Sequence, residues 1–372
     1  MSSPAQRLAG ARVVICMGAG GVGKTTASAA LALGLAASGK RVALVTIDPA
    51  RRLAEALGLE ALGNRPRPVD STAPSSRGAP PRGELWAMML DVTRTFDELV
   101  ALLAPSAAVR DQILANQIYR NISSAVAGSQ EYSAIAKLFE LAQGGGYDTI
   151  VLDTPPSRNA LDFLEAPRRL TAFLQGRAFA LLALPGRRAA RTAGVLLAAL
   201  ARAVGTAMLG DVADFLRLIS ELAPGLRDRA AGVSALLQDD SCAFVIVSSP
   251  ERAPVAEAIF LAGQLAAARM HTRALVLNRT HPRAGADRDP QATSDRLAGV
   301  LGAQLAAKVA RTHAEVQRAA RRDAQALADL RRAMPGVQCA CLLERESDVC
   351  DVETLHALAD ELFADAASPG GA

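Results

Sequence analysis

Short runs of Val, Ile and Leu recur along the chain, separated by longer stretches in which apolar residues return every three or four positions. That alternation predicts an α/β fold, a mostly parallel sheet with helices on both faces. The strand pattern falls on Arg12–Met17, Val42–Ile47, Leu85–Leu90, Thr149–Asp153, Ala243–Ser248, Arg273–Asn278 and Val337–Leu342. Several of these runs are apolar on both faces, as strands buried in a parallel sheet should be. The helical pattern falls on Gly23–Ala37, Pro49–Leu57, Asp91–Leu103, Gln130–Ala142, Arg252–Ala268, Gln304–Ala333 and Val352–Phe363.

Two segments break the rhythm. Residues 63–83 are rich in Pro, Ser, Arg and Gly, with almost no large apolar side chains, and are expected to form a mobile surface loop. Residues 167–237 hold no strand pattern but several amphipathic stretches, among them Arg188–Val204 and Asp211–Leu222. So many helical residues between two strands exceed a single crossover. An all-α insert at 167–237 is expected, on the edge or top of a core made of residues 1–166 and 238–372. Its apolar stripes (Leu181, Leu182, Leu184; Val195, Leu196, Leu200; Phe215, Leu216, Ile219) allow two readings. They pack on one another, or they line a groove for an apolar helical client.

The first strand runs directly into Gly18-Ala19-Gly20-Gly21-Val22-Gly23-Lys24-Thr25-Thr26 and then a long Ala-rich helix. This is the strand–loop–helix setting of a phosphate-binding loop, G-x4-G-K-[ST]. The glycines let backbone N–H groups converge on an anion, and the helix points its positive end at the same place. Lys24 is expected on β- and γ-phosphate oxygens and the Thr25 hydroxyl on Mg²⁺, so the expected ligands are ATP and Mg²⁺. The strand Thr149–Asp153 ends in a carboxylate suited to the metal's hydration shell, followed by Thr154-Pro155-Pro156. The strand Val42–Ile47 ends in Asp48-Pro49-Ala50, a turn expected beside the phosphate loop. Asp48 there can orient the attacking water, cap the following helix, or do both.

Composition narrows the remaining classes. Half of the 372 residues are apolar, and the net charge is +4. The arginines are dispersed among carboxylates, as in Arg227-Asp228-Arg229, which reads as a solvated surface rather than a nucleic-acid footprint. Five scattered cysteines without a CxxC pair fit a reducing, cytoplasmic setting. Cys339 and Cys341 share a strand face and read as small buried hydrophobes. The four histidines show no metal spacing and read as surface residues, and Ser129 as a helix N-cap. No integral membrane segment is expected, since no uncharged stretch approaches the length of a span.

Taken together, these residues resemble the arsenical-pump (ArsA) and guided-entry ATPases, which target tail-anchored proteins and belong to the deviant-Walker class of dimeric P-loop proteins. The resemblance covers most of the chain and rests on Gly20–Thr26, on Thr46-Ile47-Asp48-Pro49-Ala50 as switch I and on Asp153-Thr154-Pro155-Pro156-Ser157 as switch II. It implies that Asp48 activates water, that Asn278 contacts adenine, and that Glu251 is a second nucleotide-binding carboxylate. A solvated carboxylate at a helix start explains Glu251 equally well. It further implies a dimer whose switch loops couple the γ-phosphate to the helical insert.

The departures are informative. Ala19 stands where this class carries a lysine that reaches the partner's nucleotide, and Arg51, Arg52, Arg158, Asn159 and Ala160 replace other switch residues. Three readings follow: a heterodimer with a paralogous ATPase that keeps the lysine, compensation by Arg51, Arg52 or Arg158, or slow turnover on a nucleotide-binding scaffold. The first is preferred over a homodimer, because the chain is similar to paired actinobacterial ArsA-like proteins. An arsenite-pump energiser is the rival activity, and clustered cysteines for it are lacking.

Overall fold

The computed structural model describes residues 7–47, 52–59, 61–70, 82–120, 129–155, 160–176, 206–283, 289–345, 348–349 and 351–364. Its sheet has the strand order β3-β4-β2-β5-β1-β6-β7-β8. The strands are β1 (Val13–Met17), β2 (Arg41–Thr46), β3 (Arg67–Val69), β4 (Glu84–Met89), β5 (Thr149–Asp153), β6 (Cys242–Ser248), β7 (Thr272–Thr280) and β8 (Gln338–Leu343). All neighbouring pairs are parallel except β3–β4 at one edge. Every residue of β1, β5 and β6 is buried, which is why their sequences are apolar on both faces.

The period of two divides the core. Val13, Ile15 and Met17 face one side, together with Leu152 and Ile246. Val14 and Cys16 face the other. On the second side lie α1 (Lys24–Ala37), α2 (Arg52–Ala56) and α11 (Val352–Phe363). There α11 packs along α1, and the Phe363 ring fills the space above Gly34, where a Cβ would come within 2.3 Å of it. On the first side lie α3 (Val92–Leu103), α4 (Ala107–Ala115), α5 (Ser129–Gly144), α6 (Ala160–Gln175), α7 (Thr206–Gln238) and α8 (Arg252–Ala267).

The described part of α7 packs into the common core. Leu222, Leu226, Val233 and Leu237 of α7 belong to the same apolar cluster as Ile15 and Leu152. Its expected start at Pro167 falls inside α6, which begins at Ala160. A proline costs a helix one backbone hydrogen bond and a kink, not its continuation, when neighbours hold the segment. Phe215 and Leu216 are buried in the common core and Ile219 is packed against it, so this stripe is consumed by packing. The stripes from Leu181 to Leu200, and the expected helix Arg188–Val204, lie outside the described residues.

Elsewhere the structure adds elements. The segment expected as a loop at 63–83 contributes β3, paired to β4 through Val69 and Leu85. Buried Asn64 fixes its start: its Oδ1 accepts from Asp91 N at 3.0 Å and Thr95 Oγ1 at 3.2 Å. A helix absent from the sequence reading, α9 (Pro290–Leu301), precedes α10 (Ala303–Ala333). Asp289 caps α9 by accepting from Ala292 N, Pro290 occupies its first turn, and Gly302, with φ 77°, separates the two helices. Buried Asp323 ties α10 to β7, accepting from His281 N at 2.6 Å with the ring Nδ1 3.0 Å away. Two expectations are corrected: His356, expected at the surface, is buried, and of the cysteines expected to be buried Cys341 is exposed and Cys339 half-buried.

Candidate nucleotide-binding site

β1 leaves the sheet at Gly18 because no other residue fits there. A Cβ on Gly18 would lie 1.9 Å from the Val247 carbonyl oxygen of β6. The loop passes through Gly20 and Gly21, both exposed, and returns at Gly23, whose φ of 85° is left-handed. Gly23 is also crowded, since a Cβ there would meet the Asn278 amide nitrogen at 2.3 Å. α1 then starts at Lys24, so its unpaired N–H groups and dipole face the loop. Lys24 is buried, and its ammonium donates to the Ala19 carbonyl at 2.7 Å. Thr26 follows in the first turn, half-buried.

Two strand ends and the first turn of α1 meet at one carboxylate oxygen. Thr25 Oγ1 donates to Asp153 Oδ2 at 2.7 Å, and Thr46 Oγ1 donates to the same oxygen at 3.0 Å. Asp153 is buried at the end of β5, in register with Cys16 on one side and Thr46 on the other. Thr154 closes the turn, its hydroxyl donating to the Cys16 carbonyl at 2.7 Å. In the sheet β5 stands between β1 and β2, so the carboxyl end of β2, at Thr46, flanks Asp153 on the side away from β1. Asp48 itself, with Arg51 and Arg158, lies outside the described residues. Thr46 was not singled out from sequence, because its role depends on a register between strands more than a hundred residues apart.

On the other flank of the loop stand the ends of β6 and β7, which carry Glu251 and Asn278. Asn278 Nδ2 donates to the Val22 carbonyl at 2.9 Å, fastening β7 to the phosphate loop. The strand is distorted there: Arg279 has φ 60°, and pairing with β8 jumps from Leu277 to Thr280. A left-handed non-glycine residue costs of order 1–3 kcal/mol, and such bulges re-aim side chains next to sites. Glu251 sits exposed at the start of α8, at the carboxyl end of neighbouring β6, without capping the helix through its side chain. Its position fits both readings given above.

The donors suit MgATP. Hydroxyl and carboxylate oxygens of Thr25, Thr46 and Asp153 are hard ligands, and Mg²⁺ normally takes one or two carboxylates plus phosphates and water. The glycine turns leave room for an anion directly against backbone. Cys16, below the loop, is no nucleophile: burial pushes its thiol up to about 12.

A family model described as anion-transporting ATPase (ArsA ATPase) matches residues 11–296, well over half of the chain. The chain belongs to the anion-transporting ATPase family. Similar relatives named ATPase GET3 occur in fungi. That of Aspergillus terreus is 32% identical over 160 residues, 42% of this chain and 43% of the relative. That of Chaetomium globosum is 30% identical over 156 residues, covering 42% and 43%. That of Malassezia globosa is 30% identical over 154 residues, covering 41% and 42%. These matches span less than half the length of the relatives. The residues matched to the anion-transporting ATPase family include the whole Gly18–Thr25 loop, in which the Ala19 methyl is buried in the core. Among the described residues of this family member, no helix is long and apolar enough to cross a membrane.

Proposed function

We propose that the chain is a MgATP-hydrolysing switch that works as a dimer. One observation carries the reading: hydroxyls from the phosphate loop (Thr25) and from switch I (Thr46) meet on a single oxygen of Asp153, the first residue of switch II. A change at the γ-phosphate is thereby felt by both switches at once. The Gly18–Thr26 backbone, with Gly20, Gly21, Val22 and Gly23 at its crown, wraps the phosphates. Lys24 leaves the Ala19 carbonyl to neutralise the β- and γ-oxygens. Mg²⁺, when bound, would be held by Thr25 and through water by Asp153, and would offset charge on the triphosphate. Asp48 orients the attacking water, and the loose transition state leaves positioning and charge neutralisation as the main work.

The buried Ala19 side chain offers no cation to a partner's nucleotide. This favours a heterodimer with a paralogous ATPase that supplies the lysine, over a homodimer or compensation by Arg51, Arg52 or Arg158. A trans cation is worth about 10³–10⁵ in rate. The GET3 relatives are named as ATPases, which supports the hydrolytic reading. The cytoplasmic setting and the helical client rest on the resemblance drawn from the sequence, and the lack of clustered cysteines favours this reading over an arsenite-pump energiser. Single-turnover hydrolysis tests the core reading. Lys24→Ala should abolish nucleotide binding or turnover, and Asp48→Asn should keep ATP yet stop turnover. Undiminished hydrolysis by Asp48→Asn would remove that residue from the mechanism, and full activity of a stable homodimer would reject the heterodimer.

A further inference from the structure

The helical hairpin α9–α10 has no role in the nucleotide site, yet its surface is unusual. No residue of α9 is buried. It packs on α10 and on no other element to a comparable extent. The hairpin therefore projects from the body, and its tip is apolar. Four of the eight large apolar side chains exposed among the described residues are here: Val300 at 84%, Leu301 at 37%, Leu305 at 50% and Val309 at 38%.

Charge is arranged around that tip with a definite geometry. Residues 297–307 carry no charged side chain, and no carboxylate occurs from 296 to 314. Arg296 stands six positions before the turning residue Gly302, and Lys308 six positions after it. At a rise of about 1.5 Å per residue, both cations lie about 9 Å below the tip, one on each helix. Arg311 follows one turn lower on α10. All three are exposed, and none is in an ion pair among the described residues.

An apolar cap with a cationic collar at this height matches a bilayer surface. Interfacial elements bury their apolar face about 5–10 Å into the headgroup–acyl boundary, and basic side chains at that depth meet lipid phosphates. A stable protein interface takes roughly 20–30 residues a side, more than the end of a narrow hairpin presents. We propose that the α9–α10 hairpin docks on an anionic lipid bilayer, its Val300–Leu305 tip entering the interface while Arg296, Lys308 and Arg311 engage the headgroups.

Vesicle flotation of the full chain tests this, with phosphatidylcholine alone and with about one third phosphatidylglycerol added. The wild type is expected on the anionic vesicles and not on the neutral ones. The double substitution Val300→Ser with Leu305→Ser should weaken partition roughly 10- to 100-fold. Lys308→Glu with Arg311→Glu should remove it, and both variants should keep their circular dichroism and ATP turnover. The proposal is overturned if the wild type ignores both vesicle types, or if the charge reversal leaves binding intact. It is equally overturned if the serine variant keeps its vesicle affinity but loses mass in light scattering. That outcome would make the tip a contact with a second copy.

Discussion

Replacing Asn278 by Ala asks whether its amide serves the loop or only the base. Asn278 Nδ2 donates to the Val22 carbonyl at 2.9 Å, across a sequence separation of 256 residues. A typical hydrogen bond of this kind contributes about 0.5–1.5 kcal/mol, and leaving the carbonyl unpaired costs about 1–3 kcal/mol. The truncation also opens the space that now holds Gly23 in place, where the amide sits 2.3 Å from a would-be Cβ. A loop loosened by about 1–2 kcal/mol binds phosphate about 5- to 30-fold more weakly. Inorganic tripolyphosphate isolates that effect, because it has no base for Asn278 to touch. Isothermal titration should show Asn278→Ala losing tripolyphosphate affinity by this factor and ATP affinity by at least as much. Asn278→Asp, which sets an acceptor against the carbonyl, should lose no less. If tripolyphosphate binds the variant as it binds the wild type, the amide acts on adenine alone and the clamp is refuted.

Three further outcomes follow from the same geometry. Gly18→Ala should cost about 3 kcal/mol or more in urea unfolding, because β1 and β6 cannot both keep their paths; a loss under 1 kcal/mol would contradict the packing. Thr46→Val removes a hydroxyl donated to a carboxylate and should destabilise by about 1.5–3 kcal/mol, with Thr46→Ser restoring most of it. The exposed Cys341 thiol is held down to about 7 by the Cys339 hydrogen bond and then by Arg331, whereas burial drives Cys16 and Cys242 up to about 12. With an aromatic disulfide reagent, a fast phase absent from Cys341→Ser should therefore be half-maximal near pH 7, growing as pH rises through that value; a midpoint near the ordinary 9 would argue against the pairing.

The phosphate loop was legible because all its signals are local: strand, glycines, Lys24 and helix follow within one stretch. The strand end at Asp153 was legible for the same reason. Its meeting with Thr46 was not, since parallel register carries no mark in either segment. β3 escaped because three residues including Pro68 show no periodicity, and only pairing with β4 makes them a strand. α9 did announce itself: Asp289-Pro290 is a start signal and Gly302 a stop. Its few apolar residues hid it, a weakness that the structure traces to a helix with no buried face. The stretch from Pro167 was marked off by its lack of a strand pattern, and that pattern carries no sign that Pro167 lies inside the helix Ala160–Gln175.

The Phe363 ring over Gly34 places a temporal constraint on the molecule. The helix that receives the phosphates is made early in synthesis, but its outer flank is covered by α11, the last described helix. Until that ring arrives, Gly34 leaves an open notch on α1. Any grip on nucleotide should thus mature after translation of residue 363 rather than with emergence of the loop.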